Sequence, residues 1–356
     1  MRQLQNTLYI TNDNIKAKVN RQAFEFMEAD GTDIMHVPVH EIEKILVFGN
    51  SNFDESMYTK CAELGVGLYF LTANGKLRYR IEGRTKGNVV VRKQQYLLSE
   101  TQGGLGIASS MISGKIQNCI YVISRFMWNH AGMSDVELDK ARKKLEAMNE
   151  KAMYCTDVNE LRGIEGSAGR IYYDIFDKFI LVPDEHLHFS GRNRRPPKDC
   201  CNALLSYVYT MLMVDYISAV ESSGLDPYVG FMHGDRSGKP SLALDMMEEL
   251  RPAVADRFAL KLINLRQINA DMFEENGDGI LLNKEGRNIV FREWNKMKRE
   301  TTCINGFDEN VPFGLIPFIQ AQQLNRLMRV ETTRYIPIYY CCNSRFGRGI
   351  YRSERS

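Results

Sequence analysis

The sequence lacks several patterns that would place it in a common functional class. Its eight cysteines include no C-x-x-C pair, which excludes a zinc ribbon or a thioredoxin-like redox site. Its apolar runs fall well short of a membrane span, and the run from Leu204 to Val214, for example, ends at Asp215. No export signal precedes the first strand-like segment, so we expect a cytoplasmic protein whose cysteines are reduced thiols.

An excess of charge of one sign is also absent. The net charge of +2 is the remainder of 46 basic and 44 acidic residues, and this balance by itself does not indicate a nucleic-acid-binding protein. Basic residues are nevertheless concentrated in segments 76–95, 191–198 and 345–352. Each segment alone fits a solvated loop, but together they favour contact with a polyanion. The side chains that we expect to contact a DNA backbone are Arg84, Arg92, Arg192, Arg194 and Arg195.

A change of periodicity divides the chain into two main parts. Short apolar runs between turn residues predict a β-rich domain over residues 1–80, and helical periodicity predicts a larger helical domain over residues 101–345. Residues 81–100 are predicted to be a basic linker and residues 346–356 a basic tail. The predicted fold class is therefore α+β, with a small N-terminal β-rich domain and a larger all-helical domain.

Three local features refine this division. A helix over Phe53–Leu64 is predicted to interrupt the β-rich domain and to end at Gly65. Asn74-Gly75 between two apolar runs predicts a tight β-hairpin. A second small hairpin is predicted over residues 279–291 of the helical domain.

The first candidate for a catalytic group is a glutamate in a glycine-rich helix. Glu165 lies beside an apolar face at helical spacing, and glycines recur every third residue at Gly163, Gly166 and Gly169. Each such glycine costs roughly 1 kcal/mol relative to alanine, so we expect a neighbouring backbone or a ligand to approach closely. A helix–helix packing seam with a glutamate at its boundary explains the same pattern.

The second candidate is a histidine followed by a pair of acids. His233 lies among glycines in a predicted turn ahead of a mostly apolar helix. Asp245 and Glu248 are three residues apart in that helix and therefore share one face. Buried carboxylates need a positive partner, which either an arginine or a divalent metal would supply. One imidazole beside two carboxylates suits manganese as well as magnesium.

Two glycine-rich segments do not carry nucleotide-binding motifs. The glycine spacing in Gly234–Pro240 is too short for a phosphate loop, and Pro240 stands where that motif places serine or threonine. Gly104-Leu-Gly106 lacks the third glycine of a dinucleotide fingerprint and follows no predicted strand. The sequence therefore gives no support for nucleotide binding.

Motifs along nearly the whole chain carry a resemblance to one known family. They are Gly87-Asn88 with Arg92 and Gln95, Lys115 with Asn118, Gly163-Ile-Glu-Gly166, Arg194-Arg-Pro-Pro-Lys-Asp199, Gly224-Leu-Asp-Pro227, Gly230-Phe-Met-His233 and Leu244-Asp-Met-Met-Glu-Glu-Leu-Arg-Pro252. With this set the chain resembles the CRISPR-associated Cas-one family, the endonuclease and integrase of spacer acquisition. Its opening Leu4-Gln-Asn-Thr-Leu-Tyr9 is most similar to the version that accompanies type I-C systems.

The resemblance implies a metal site formed by Glu165, His233 and Glu248, with Mg²⁺ or Mn²⁺ as the metal. Asp245 is implied to support this site or to bind a second metal. Glu249 stays open as an alternative to Glu248, although the spacing from Asp245 favours Glu248. The implied enzyme is a metal-dependent DNA endonuclease and integrase that inserts short DNA fragments into a repeat array by 3′-hydroxyl transesterification.

The resemblance also implies partners. They are DNA (incoming fragments and the repeat array), a second copy of the chain that dimerises through the β-rich domain, and a small Cas-two protein that completes a hetero-hexamer. Two other functions fit the same residues: a general metal-dependent nuclease acting on branched DNA or RNA, and a catalytically silent DNA-binding scaffold. The intact acid–histidine–acid set argues against the scaffold, whereas hydrolysis and strand transfer would share one site.

Overall fold

The computed structural model describes residues 6–72, 75–81, 83, 89–130, 135–193, 196–234, 236–307 and 309–340. Within these residues, strands predominate up to residue 81 and helices predominate after it. The predicted α+β class, with a β-rich N-terminal part and a mainly helical remainder, is confirmed.

Two four-stranded sheets form the N-terminal part. Their strands are β1 (Asn6–Ile10), β2 (Ile15–Asn20), β3 (Ala23–Met27), β4 (Asp33–Pro38), β5 (Ile42–Phe48), β6 (Ser51–Phe53), β7 (Gly67–Leu71) and β8 (Leu77–Ile81). One sheet has the order β1-β5-β7-β8 and the other the order β4-β3-β2-β6. Helix α1 (Glu55–Leu64) follows β6; Asp54 caps its N-terminus, and Gly65 ends it with a φ of 73°.

Strand β5 is apolar on both faces because both faces are covered. Ile45 and Val47 point into the N-terminal core, where they join residues of the second sheet such as Phe24. Leu46 and Phe48 alternate with them and belong to the core of the helical part. The first sheet is thus shared between two cores, which explains why β5 reads as a continuous hydrophobic run.

The rest of the described chain is mainly helical. The helices are α2 (Val89–Ser99), α3 (Gln102–Asn129), α4 (Val136–Met153), α5 (Val158–Asp174), α6 (Cys200–Ser222), α7 (Ser241–Met247), α8 (Arg257–Asn264), α9 (Lys284–Arg299) and α10 (Ile316–Met328). Helix α6 is long and apolar enough to cross a membrane by composition, but 72% of its most apolar window is buried inside the protein, as in a central core helix. A π-helical turn, Arg251–Asp256, precedes α8.

The second predicted hairpin is wrong in its position. Strands β9 (Phe273–Asn276) and β10 (Gly279–Leu282) pair with each other, and residues 284–299 form α9. Asn283 caps that helix by accepting a hydrogen bond from the backbone N–H of Gly286. The run at residues 288–291 predicts a strand, but its three consecutive apolar residues fit a helix equally well. The buried residues of the helix recur instead at helical spacing: Val290, Phe291, Trp294 and Met297.

A second difference concerns the segment between the two parts. Residues 89–99 of the predicted linker form helix α2, in which Val91 and Gln95 are buried.

Short strands β11 (Thr301–Thr302) and β12 (Val311–Pro312) pair between α9 and α10. The predicted turn residue Asn74 lies outside the described residues, but β7 and β8 form the expected antiparallel pair around it.

A buried charged cluster joins the first sheet to the helical part. Asp215 of α6 lies 2.7 Å from the ammonium of Lys44 on β5 and 3.2 Å from that of Lys298 on α9. The indole N–H of Trp294 donates to the other carboxylate oxygen of Asp215 at 3.2 Å. Burial alone would raise the pKa of Asp215, but the two ammonium groups lower it to about 2. The cluster links strand β5 to helices α6 and α9.

Candidate metal centre

Helix α5 places Glu165 at the boundary between core and solvent. Asp157 caps the helix, while Leu161 and Ile164 face the core. Glu165 lies beside this apolar face with a side chain that is 27% exposed. The carboxylate is therefore accessible and partly shielded from water, which strengthens its interactions with cations.

The glycines around Glu165 do not form a packing seam. A Cβ atom added at Gly163, Gly166 or Gly169 would meet no other atom within 4 Å among the described residues. The predicted close approach of a neighbouring backbone is therefore not found in the described part of the chain, and the helix–helix seam is wrong. The three glycines leave a smooth, open surface next to the glutamate.

Asp245 holds the turn that carries His233. Its Oδ2 accepts hydrogen bonds from the backbone N–H groups of Phe231 (2.7 Å) and Met232 (2.9 Å), and its Oδ1 accepts one from His233 (3.0 Å). The same Oδ1 lies 2.5 Å from Nδ1 of the His233 ring. Gly230 is required here, because a Cβ atom on it would lie 2.5 Å from the Asp245 carboxylate. With Nδ1 engaged, Nε2 is the ring nitrogen left for a ligand.

Glu248 follows the end of α7 and is almost completely buried. Its Oε1 lies 2.7 Å from the guanidinium of Arg251, and its Oε2 lies 2.7 Å from the ammonium of Lys115. Burial alone would raise the pKa of Glu248, but Arg251 and Lys115 lower it to about 2. Glu248 is therefore an ionised carboxylate, and each of its two oxygens faces a cation.

Lys115 of α3 connects the two glutamates. Its ammonium forms ion pairs with both Glu165 and Glu248, so the two carboxylates meet at one positive charge. Burial alone would lower the pKa of Lys115, but these two carboxylates raise it well above its ordinary value. Lys115 was not among the predicted site residues. The available signal was a lysine placed in the apolar stretch Met111–Ile116, where an unpaired charge would be costly.

The Glu249 carboxylate points away from the Lys115 ammonium that contacts Glu165 and Glu248. Its carboxylate accepts hydrogen bonds from the side chains of Gln320 (2.8 Å) and Tyr335 (2.7 Å) and from the backbone N–H of Ile338 (2.6 Å). Burial raises the pKa of Glu249 to about 8. Glu249 thus fixes the chain segment around Tyr335, and Glu248 is the glutamate of this pair that lies with Glu165 and Lys115.

Glu165 and His233 line the same open cavity of about 380 Å³. Its wall consists of Arg162, Glu165, Met232, His233, Gly234, Arg236 and Lys239. The Nε and Nη2 groups of Arg162 both donate to the carbonyl oxygen of Met232, at 2.9 and 2.6 Å, and so tie α5 to the His233 turn. A cavity with acidic and imidazole groups inside and basic groups on its wall suits an anionic substrate.

Comparison with known proteins identifies the family. The family model described as "CRISPR associated protein Cas1" matches residues 8–296. The chain is also 38% identical over 346 residues to the CRISPR-associated endonuclease Cas1 2 of Rhodospirillum rubrum, covering 96% of this chain and all of that protein. This chain belongs to the Cas1 family. The family predicted from the sequence is confirmed, and the names of the curated relatives support a nuclease.

Solved structures share the Cas1 fold with this chain. A chain in a Cas6-RT-Cas1–Cas2 complex superimposes with a TM-score of 0.78 at 22% identity, over 94% of this chain and 36% of that one. A casposase bound to an integration product gives a TM-score of 0.78 at 20% identity, over 93% and 92% of the two chains. At these identities the likeness establishes the fold.

The chemistry of the Cas1 site fits a hard divalent cation. Two carboxylates and an imidazole supply oxygen and nitrogen ligands, and the Lys115 ammonium already marks where Glu165 and Glu248 share a positive charge. Within the described residues, no three acidic, histidine or cysteine side chains lie close enough to form a complete ligand set as they stand. The Lys115 ammonium lies between the two glutamates, where such a cation would be shared.

The arginines predicted to contact DNA in this Cas1 chain have different environments. Arg192 is half-buried, and its guanidinium donates to Asn202 at 2.6 Å and lies 5.2 Å from the centre of the Tyr209 ring. Arg92 is half-buried on α2, and its Nε makes no hydrogen bond within the described structure. Arg84, Arg194, Arg195 and the basic tail lie outside the described residues. Arg162, Arg236 and Lys239 on the cavity wall were not among the predicted contacts.

Proposed function

We propose that this Cas1 chain is a divalent-metal-dependent DNA endonuclease and integrase that inserts DNA fragments as new spacers into a CRISPR repeat array. One observation carries the proposal: Glu165 and Glu248, far apart in the chain, meet at the single ammonium of Lys115, and Glu165 shares its cavity with His233. Carboxylates gathered around one cation beside a basic wall are suited to a reacting phosphodiester.

In this proposal Glu165, His233 and Glu248 hold Mg²⁺ or Mn²⁺, and Asp245 is a positioning residue for His233. The metal, when bound, neutralises charge on the reacting phosphate. The oxygen of an incoming 3′-hydroxyl forms a bond to phosphorus, the bond from phosphorus to the 3′-oxygen of the repeat strand breaks, and the displaced oxygen gains a proton while the attacking hydroxyl loses one. Arg162, Arg236 and Lys239 bind the flanking phosphates, and the glycine surface of α5 leaves room for the DNA backbone.

The proposed partners are DNA, a second copy of the chain and a small Cas2 protein in a hetero-hexamer. The two solved structures of similar fold, a Cas6-RT-Cas1–Cas2 complex and a casposase bound to an integration product, support partners of these kinds. Support for dimerisation through the β-rich domain comes from β4, an edge strand on which Ile34 and Met35 are more than 40% exposed. The similarity of this chain to the version that accompanies type I-C systems stays a prediction.

A strand-transfer assay tests the proposal directly. Purified protein, with and without its Cas2 partner, receives a 3′-hydroxyl fragment and a supercoiled plasmid that carries the repeat, across a series of Mg²⁺ and Mn²⁺ concentrations. We expect metal-dependent joining of the fragment at the repeat. Cleavage of branched DNA or RNA without joining would instead favour the general nuclease, and metal-insensitive binding without any product would favour the silent scaffold.

The positioning role of Asp245 gives a further prediction. Substitution Asp245→Asn weakens the contact with Nδ1 of His233, and we expect a roughly 10- to 100-fold loss of Mn²⁺ affinity and of strand joining. Isothermal titration with Mn²⁺ measures the first effect. Asp177→Asn is a matched control, because Asp177 contacts His188 on the surface at 2.9 Å in a similar carboxylate–histidine pair. Equal Mn²⁺ affinities for Asp245→Asn and wild type would contradict the role.

The basic wall gives a prediction about DNA affinity. We expect Arg236→Ala and Lys239→Ala each to weaken binding to unrelated DNA sequences to a similar degree and to reduce the slope of log K against log[salt] by about one. Fluorescence anisotropy of labelled DNA, measured at NaCl concentrations from about 50 to about 300 mM, gives this slope. Lys143→Ala is the control, because Lys143 is exposed on α4 and pairs with Asp139. A slope equal to that of wild type in both wall variants would exclude the phosphate contacts.

A further inference from the structure

A buried tyrosine lies beside the arginine that pairs with Glu248. Tyr209 of α6 is buried, and the Cζ atom of Arg251 lies 5.1 Å from the centre of its ring. This distance is within the range of a cation–π interaction, which is stronger where water is excluded. An Nη atom of the same guanidinium lies 2.7 Å from Oε1 of Glu248. Arg251 is thus held between an aromatic ring and one of the proposed metal ligands.

The hydroxyl group of Tyr209 fixes the orientation of this ring. It donates a hydrogen bond to Oδ1 of Asp256, at the end of the π-helical turn, and lies 2.7 Å from the hydroxyl of Tyr173. Tyr173 belongs to α5 and follows Glu165 by about two helical turns. Tyr209 therefore contacts both the helix that carries Glu165 and the arginine that pairs with Glu248.

The groups around Tyr209 also direct Arg251 towards Glu248. The Cζ atom of Arg192 lies 5.2 Å from the centre of the same ring, and its guanidinium is held by Asn202 at 2.6 Å. Like charges repel each other strongly in a buried site, so Arg192 disfavours movement of Arg251 towards it. The nearby Asp256 carboxylate already has a donor in the Tyr209 hydroxyl. Glu248 therefore remains the favoured partner of Arg251.

Arg251 in turn determines which oxygen of Glu248 is directed at the rest of the site. It contacts Oε1, whereas Oε2 lies 2.7 Å from the Lys115 ammonium, which also contacts Glu165. A carboxylate that is held at one oxygen presents the other oxygen in a single direction. Loss of a group that orients a metal ligand typically lowers metal affinity by about 10- to 100-fold.

We propose that Tyr209 is a positioning residue for the candidate metal centre, because its ring holds the Arg251 guanidinium against Oε1 of Glu248. This inference rests on the proposed function, since it assigns a supporting group to one of the proposed metal ligands. Tyr209 contacts neither the metal nor DNA in this role. Its effect reaches the centre through Arg251, so metal affinity is the property that it controls.

Tyr209→Leu and Tyr209→Phe test this role, because phenylalanine keeps the aromatic ring and leucine removes it. Isothermal titration of the full chain with Mn²⁺, without DNA, measures the affinity. We expect Tyr209→Leu to bind Mn²⁺ roughly tenfold more weakly and Tyr209→Phe to bind it much as wild type does. In strand joining, the half-saturating Mn²⁺ concentration should rise by the same factor for Tyr209→Leu.

Tyr207→Leu is the matched control for the loss of a buried ring. Tyr207 is also buried on α6, but its ring packs against Phe48 and Phe291, with centres 6.1 and 5.8 Å away. We expect this variant to lower the urea midpoint as Tyr209→Leu does and to keep the Mn²⁺ affinity of wild type. Equal losses of Mn²⁺ affinity in Tyr207→Leu and Tyr209→Leu would reduce Tyr209 to a core side chain and overturn the proposal.

A double-mutant cycle tests whether Tyr209 acts through Arg251. Arg251→Gln alone should weaken Mn²⁺ binding, and addition of Tyr209→Leu to it should weaken binding little further. Fully additive losses would contradict the proposed route. If Tyr209→Leu does not fold, Arg251→Lys tests the same contact, because lysine keeps the charge without the planar group. Wild-type Mn²⁺ affinity in Arg251→Lys would overturn the proposal.

Failure of the proposed function has a different signature. Wild type would then join no strands at any Mg²⁺ or Mn²⁺ concentration, although its Mn²⁺ affinity could still be compared with that of Tyr209→Leu. A wild-type Mn²⁺ affinity in Tyr209→Leu, together with normal strand joining by wild type, would instead refute the role of Tyr209 and leave the proposed function in place.

Discussion

Alanine at Glu165 or at His233 is expected to abolish strand joining and DNA cleavage while the protein stays folded and still binds DNA. Each variant loses one of the proposed metal ligands, and the charge stabilisation that a metal gives a reacting phosphate amounts to several kcal/mol. The rate should therefore fall by about a thousandfold or more. Single-turnover strand transfer under saturating Mg²⁺ or Mn²⁺ measures the loss.

The fold should survive these substitutions for a specific reason. Lys115 contacts both Glu165 and Glu248, so it keeps one carboxylate partner when Glu165 is removed. Glu160→Ala, at an exposed position in the first turn of α5, and His188→Ala are the matched controls and should join strands as wild type does. Undiminished strand joining by Glu165→Ala or by His233→Ala would refute the proposed ligand set.

The largest expected effect on stability comes from Asp215→Asn. The substitution preserves the shape of the side chain but removes the negative charge that contacts both Lys44 and Lys298, and the carboxylate of Glu43 lies farther from Lys44, at 4.0 Å. Breaking a buried ion pair in this way costs about 3–5 kcal/mol, which should lower the urea midpoint by about 1–2 M. Circular dichroism during urea titration measures the midpoint. Asp139→Ala, which removes a surface partner of Arg142 and Lys143, should change it little.

The pKa of Asp215 also predicts how the difference in urea midpoint between wild type and Asp215→Asn depends on pH. The pKa of Asp215 is lowered to about 2 in the folded chain, below the value of about 3.9 expected after unfolding. Its contribution is therefore complete above about pH 4 and is lost as the pH falls towards 2. We expect the urea midpoints of wild type and Asp215→Asn to converge over this range. A difference that stayed constant from pH 6 to pH 3 would show that the charge of Asp215 is not the cause.

The elements of the site were predictable where the evidence for them is local. The apolar spacing beside Glu165 predicted a helix, and the observed helix α5, Val158–Asp174, carries this glutamate. The run at residues 289–291 was misread because it is too short to separate the two periodicities. Helix α2 was missed because the basic residues before and within it suggested a linker.

The partners of the charged side chains were not predictable from local patterns. The spacing between Asp245 and Glu248 predicts one shared helical face but does not give their partners. Asp245 uses both oxygens on the His233 turn, while Glu248 contacts Lys115 and Arg251. The adjacent Glu248 and Glu249 have opposite environments, because the fold gives them different partners. Glu249 faces Tyr335 and carries a raised pKa, whereas the pKa of Glu248 is lowered by its cations.

The sequence by itself determined the order of β-rich and helical segments and the membership in the Cas1 family, because periodicity and motifs are properties of neighbouring residues. Only the tertiary structure decided which distant charges meet. Lys115 lies between Glu165 and Glu248, and Asp215 lies between Lys44 and Lys298. These pairings follow from the packing of α3, α5 and α6 with their neighbours, since a charge that packing removes from water must find its partner wherever the fold brings one.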